Sequence, residues 1–168
     1  EFIKARSLKG IIGGGQDAWK LAKQLAEQHV PVILDPVFQS PQEDYDPYDT
    51  TWANAGRLHD AGVAIAFRTD DAAHAHTLPF NAGRSVAFGL PETAAVRALT
   101  LGPAKILGVD DRLGSLTPGK WATLIITDGS PLQPSTLVLG AMIRGRRISL
   151  ETRHTRFAEK YRQRLAKP

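Results

Sequence analysis

The sequence contains no cysteine. Disulfide-stapled scaffolds, cysteine-ligated zinc and thiol catalysis are therefore excluded, and the redox compartment leaves no trace. No apolar run approaches the roughly 20 residues of a membrane-spanning helix, and the opening residues are not expected to form a signal peptide. Gly-Ser linkers, low-complexity tracts and clear internal repeats are missing as well. At 168 residues the chain is too short for a whole (β/α)₈ barrel, which takes about 250. With 42% hydrophobic and 23% charged residues it is too apolar for a disordered chain and has material for a core. Its first residues, Glu1 to Arg6, lack an initiator Met and read as the interior of a longer chain.

The net charge of +4 is unevenly spread. From Arg144 to Pro168 there are nine Lys/Arg against two Asp/Glu, which leaves twelve basic and fifteen acidic residues in the first 143. The body is slightly acidic and the basicity lives in the tail, so the overall charge is no argument for nucleic-acid binding.

Three apolar runs organise the first half: 9–13 (KGIIG), 31–34 (PVIL) and 63–67 (VAIAF). Apolar on both faces, they read as parallel strands covered by helices. Between them lie two helical patterns, 17–28, with Asp17 placed to cap it, and 50–61, closed by Gly62. Strand, helix, strand, helix, strand makes two consecutive βαβ units. Residues 35–49 form a loop with three prolines, long enough to suggest that it lines a site. Further on, a short helix is expected over 81–88, ending at Gly89, a helix over 91–101 and a turn over 103–107. From Gly114 the texture turns to β: a strand over 121–127, then a hairpin, 137–143 and 146–150, around Arg144-Gly145. A basic helix over 152–166 is expected to dock through Phe157 and Tyr161, four residues apart, with its charges in water.

In parallel α/β architectures ligands bind at the carboxyl ends of the strands. The three strand ends carry Gly13-Gly14-Gly15, Asp35 and Asp70. Two carboxylates at successive strand ends suit a hard cation or acid/base work; equally, such residues cap the next turn or helix, which is their commoner use. The glycine triplet matches neither a dinucleotide fingerprint nor a P-loop and suits a tight turn. His74 and His76 have the spacing of a strand-borne metal pair, but they fall in a loop, and only Asp70 stands near as a third ligand. His29 and His59 read as structural, and His154 as solvated.

The stretch VAIAFRTDD…LPFNAGRSVAFGLPETAAVRALTLGPAKILGVDDRLGSLTPGKWATLIITDGSPL resembles the C-terminal part of metal-dependent amidohydrolases, in the imidazolonepropionase-like and prolidase-like branch. The markers run in order: Thr69-Asp70, Leu78-Pro79-Phe80, Gly89-Leu90-Pro91, Pro103-Ala104, Gly114-Ser115-Leu116, Pro118-Gly119-Lys120 and 128–132. Upstream, residues 14–20 and 30–34 also fit, so the resemblance covers nearly the whole chain.

The resemblance implies an α/β fold: the last three βα units of a TIM-type (β/α) barrel over 1–112, a β-sandwich portion over 113–150 and a basic C-terminal helix over 151–168. It implies C–N bond hydrolysis, of an amide, cyclic amide or dipeptide, by metal-activated water, with Asp70 both binding the metal and taking the proton. Arg68, His74, His76 and Asp35 are the accompanying candidates for substrate or supporting contacts. A divalent metal, zinc first, belongs to the longer parent; this chain alone, which lacks the parent's other ligands, is expected to bind none and to be inactive. The expected partners are a small amide or dipeptide substrate and either a second copy or the missing barrel half, with no nucleic acid and no membrane. The compartment stays open, cytoplasmic ahead of periplasmic.

There are departures from the family pattern. Arg68 stands where Gly is usual, Asp71 where Ser is common, and Trp121 and Thr123 where acidic residues are usual. Gly13-Gly14 stands where some members carry a His. Arg68 is expected either to place a cation beside Asp70 or to fill space meant for metal. The alternatives are a non-catalytic α/β module that binds a partner chain or small anion, and a polypeptide that completes its barrel with another chain.

Overall fold

The computed structural model describes residue 6 and residues 8–166. The expected outer segments reach residues 1–5, 7, 167 and 168, which lie outside the described residues. The fold is mixed α/β, with two separate three-stranded sheets.

The first sheet is parallel, in the order β1 (Ile12–Gly14), β2 (Val32–Leu34), β3 (Ile65–Phe67). Its register is Ile12↔Val32↔Ile65 and Gly14↔Leu34↔Phe67. A 3₁₀ turn, Ala18–Leu21, and helix α1 (Ala22–Glu27) join β1 to β2. The long segment 35–49 and helix α2 (Thr50–Asp60) join β2 to β3. Both connections are crossovers, as parallel pairing demands.

Strand alternation places Ile12, Gly14, Val32, Leu34, Ile65 and Phe67 on one face. The core gathers there: Val32, Leu34, Ile65 and Phe67 meet Leu25 of α1 and Ala55 and Leu58 of α2. Gly13, Ile33 and Ala66 lie on the other face and do not belong to the core cluster. On that other face Ala66 is 1% exposed, Ile33 is half-buried and Gly13 is exposed, so the expected cover is complete on the core face and partial on this one.

After β3 come a 3₁₀ turn, Ala75–Thr77, and helices α3 (Leu78–Val86), α4 (Glu92–Leu99) and α5 (Leu101–Ile106). The second sheet is antiparallel, β4 (Leu124–Thr127), β5 (Val138–Ile143), β6 (Arg146–Ile148), and α6 (Arg153–Leu165) closes the described chain.

Gly62 (φ 85°) and Gly89 (φ 104°) take the left-handed conformation just past their helices, as their positions predict. Elsewhere the boundaries differ. The pattern over 17–28 splits into a 3₁₀ turn and α1, and Asp17 makes no side-chain cap; the tighter turn brings Lys20 to Asp17 at 3.3 Å and Asp46 at 2.9 Å. Helix α3 starts three residues before its expected position, because Pro79 falls in a first turn that needs no N–H from it. The expected turn over 103–107 is α5, set off from α4 by Thr100 (φ −127°, ψ −90°). The strand over 121–127 begins only at Leu124, since Trp121 N is bonded to Arg112 O and its ring stacks under Arg144 at 4.2 Å.

The docking expected of the C-terminal helix is also corrected. Every described residue of α6 is exposed. Phe157 and Tyr161, 40% and 55% exposed, meet each other at 6.4 Å between ring centroids, and Arg153 and Arg164 lie over their rings.

Candidate functional site

The ladder runs one residue past the strands. Asp35 N donates to Gly14 O (3.1 Å) and Arg68 N to Leu34 O (2.9 Å). Since Leu34 pairs with Phe67, Asp35 and Arg68 are next in register and share the face of Gly13, Ile33 and Ala66. Their side chains meet as a cross-strand ion pair, Arg68 Nε donating to Asp35 Oδ1 at 2.6 Å. The bond to Asp35 holds the Arg68 proton more firmly than usual, and Asp70 adds to this through space.

Gly14 gives this pair its room, while Gly13 lies at ordinary contact distance from it. A Cβ at Gly13 would lie 3.7 Å from Arg68 Nη1, and one at Gly14 would lie 3.2 Å from Asp35 Oδ2. Gly15, at φ 64°, takes a conformation a side chain would strain, and a Cβ there would press on Val32 at 2.7 Å.

Asp70 lies three residues past the end of β3 and is exposed. Among the described residues its carboxylate accepts no hydrogen bond. Asp71 has a local role: its Oδ1 accepts from His74 N at 3.0 Å, and its two oxygens lie 3.1 Å from His74 Nδ1. These bonds, the backbone one foremost, hold the Asp71 carboxyl below the usual range. His76 Nδ1 lies 3.1 Å from Ala73 O. His74 precedes a 3₁₀ turn and His76 lies within it, rather than both standing on a strand; at three residues per turn, positions two apart do not share a face. The structure therefore brings Asp35 and Arg68 together, with Asp70 beside them, and leaves His74 and His76 in local bonds.

Residues the sequence reading missed shape the wall of the site. Segment 35–49 is held by buried polar side chains on two helices. Thr51 Oγ1 donates to Val37 O and Gln39 O, each at 3.1 Å, and Asn81 Oδ1 accepts from Val37 N at 2.8 Å. Asn54 Nδ2 donates to Gly15 O (2.8 Å) and Gln16 O (3.0 Å), tying the glycine turn to α2. Its Oδ1 is buried without a partner among the described residues, beside a cavity of about 10 Å³ lined by Gly14, Asp35 and Asn54. The available signal was periodicity: Thr51, Asn54 and Leu58 fall on one helical stripe.

Among the described residues no three His, Cys, Asp or Glu side chains stand together as a set that could hold a metal ion. Asp70 fits as one hard oxygen donor, and further donors would have to come from outside these residues.

The sequence model of the Amidohydrolase family matches residues 17–157. The chain is 34% identical over 80 residues to adenine deaminase 2 of Bradyrhizobium diazoefficiens, a match covering 45% of this chain and 13% of that protein. An amidohydrolase structure from Thermotoga maritima superposes with a TM-score of 0.78 at 30% identity, over 88% of this chain and 38% of that one. An adenosine deaminase from Xanthomonas campestris, solved with bound zinc, has the same fold at a TM-score of 0.61 and 21% identity, over 98% of this chain and 45% of that one. The chain spans 8% and 13% of the length of the curated relatives it matches.

Proposed function

The chain belongs to the amidohydrolase family, and from that premise we propose that it is the C-terminal share of a longer protein that hydrolyses C–N bonds in an amide, cyclic amide or dipeptide. In this reading residues 1–112 supply the last three βα units of a barrel, 113–150 part of a β-sandwich and 151–168 an appended basic helix. The observation that carries it is the parallel sheet with Asp35, Arg68 and Asp70 at its carboxyl end, the edge at which such sheets bind ligands.

Asp70 is the carboxylate proposed to hold the attacking water and accept its proton. It is exposed and makes no hydrogen bond among the described residues, whereas Asp35 and Asp71 are engaged with Arg68 and His74. A divalent metal, zinc first, would lower the water's pKa and polarise the scissile carbonyl, with Asp70 as this chain's ligand. Arg68, His74, His76 and Asp35 remain supporting residues in the proposal. Self-association, or association with the rest of a barrel, completes it.

One observation favours a second reading, a non-catalytic module binding a partner chain or small anion: at the strand ends a guanidinium already neutralises one of two carboxylates. Hydrolysis by the full-length protein carrying Asp70→Asn, Asp71→Asn or Asp35→Asn separates the two. Loss of several orders of magnitude in kcat for Asp70→Asn alone fits the hydrolase. Near-normal turnover by Asp70→Asn removes Asp70's role, and no turnover of any amide by the unaltered protein favours the module.

A further inference from the structure

Two carboxylates and a guanidinium gather where the parallel sheet opens to solvent. The pairing of Asp35 with Arg68 is set by the sheet, because the backbone N–H of each is bonded to the strand beside it, at 3.1 and 2.9 Å. Their side chains, 21% and 49% exposed, meet in a charge-assisted bond of 2.6 Å. We propose that Arg68 is the resident cation of this cleft: it pre-empts Asp35 as a metal ligand and leaves Asp70 as the one carboxylate from which this chain can face a divalent ion.

Three features support the assignment. An ion approaching Asp35 through Oδ1 must break the bond to Nε, and one approaching through Oδ2 sits beside a guanidinium of like charge. Strand β1 offers no side-chain donor in compensation, since Gly13 and Gly14 form its end and Arg68 Nη1 occupies the space above Gly13. Finally, an arginine keeps its charge at every pH a protein survives, so the block is permanent, whereas a histidine in its place would release Asp35 on deprotonation. Arg68 lies in ordinary contact over Gly13, and a Cβ at Gly14 would press on Asp35 Oδ2 at 3.2 Å, so the glycine end of β1 leaves the ion pair its place. The inference rests on the proposed reading of Asp70 as the ion-facing carboxylate, and its test separates the two.

The experiment is a titration of the 168-residue chain with Mn²⁺, free Mn²⁺ being followed by electron paramagnetic resonance. The unaltered chain and Arg68→Lys, which keeps the charge, are expected to bind weakly. Arg68→Met, which removes the charge and keeps most of the bulk, is expected to bind at least about tenfold more tightly. Adding Asp35→Asn to Arg68→Met is expected to abolish the gain. If adding Asp70→Asn also abolishes it, both readings stand. If the gain survives Asp70→Asn, Arg68 still masks Asp35 and the role given to Asp70 fails. Binding by folded Arg68→Met no tighter than by the unaltered chain overturns the proposal, as does Mn²⁺ binding by the unaltered chain that Asp35→Asn removes. Far-UV circular dichroism checks folding; should Arg68→Met unfold, Arg68→Gln replaces it with the same expectations.

Discussion

Neighbouring carboxylates beyond β3 have different employment. Asp71 accepts from the backbone and ring of His74, and the backbone bond is the larger cause of its lowered pKa. A carboxyl depressed in the folded state stabilises the fold fully above its unfolded pKa of about 4. That contribution is lost as the pH falls through the depressed value, so the 3₁₀ turn 75–77 is expected to open under acid conditions ahead of the core. Hydrogen exchange at the His74 amide, followed by NMR down the acid range, should show protection falling with pH, and Asp71→Asn should remove that dependence. Protection independent of pH would contradict the assignment.

Elements in this chain are stabilised in two ways. Helix α6 buries nothing, so its helicity rests on local terms. At its start Thr152 Oγ1 accepts from Thr155 N at 3.2 Å, and Thr155 Oγ1 accepts from Thr152 N at 2.8 Å, a reciprocal cap. An exposed helix of 13 residues is marginal in water, and loss of an N-cap costs about 1 kcal/mol. Thr152→Ala should therefore lower the helical Cα shifts of 153–165 while leaving the unfolding temperature of the body unchanged. Helix α3, by contrast, is held by packing. A Cβ on Gly83 would lie 2.5 Å from the carbonyl oxygen of Leu132, a backbone atom that cannot swing aside, and Leu132 is only 3% exposed. Gly83→Ala is expected to destabilise the chain by about 1–3 kcal/mol, read in urea unfolding; an unchanged midpoint would show that the 132 segment moves freely.

For the whole molecule the question is what covers its open surfaces. Among the described residues β1 and β3 are edges of the parallel sheet, and β4 and β6 are edges of the antiparallel one. Ile125, Ile126, Leu137, Leu139 and Ile143 are exposed on and beside the second sheet. Unpaired edges and clustered apolar side chains favour association, so the 168-residue chain is expected to self-associate. Light scattering over a concentration series should show mass rising with concentration, and a clean monomer throughout would count against the proposed share of a larger barrel.

Local patterns carried much of this. The apolar runs ending near Gly13, Leu34 and Phe67 marked the three parallel strands, and Gly62 and Gly89 marked helix ends, because periodicity and a left-handed glycine are properties of a few adjacent residues. The same runs, by pattern alone, put Asp35 and Asp70 near strand ends. What the tertiary structure decided was who meets whom. Arg68 reads in sequence as a neighbour of Asp70, yet its side chain bonds to Asp35, 33 positions away, because parallel register places residues 35 and 68 side by side on one face. Thr51, Asn54 and Asn81 look like ordinary polar helix residues until the packing buries them against the 35–49 segment and the glycine turn. Phe157 and Tyr161 look like an anchor, and whether an apolar stripe finds a surface to cover is settled by the other elements, not by the stripe itself.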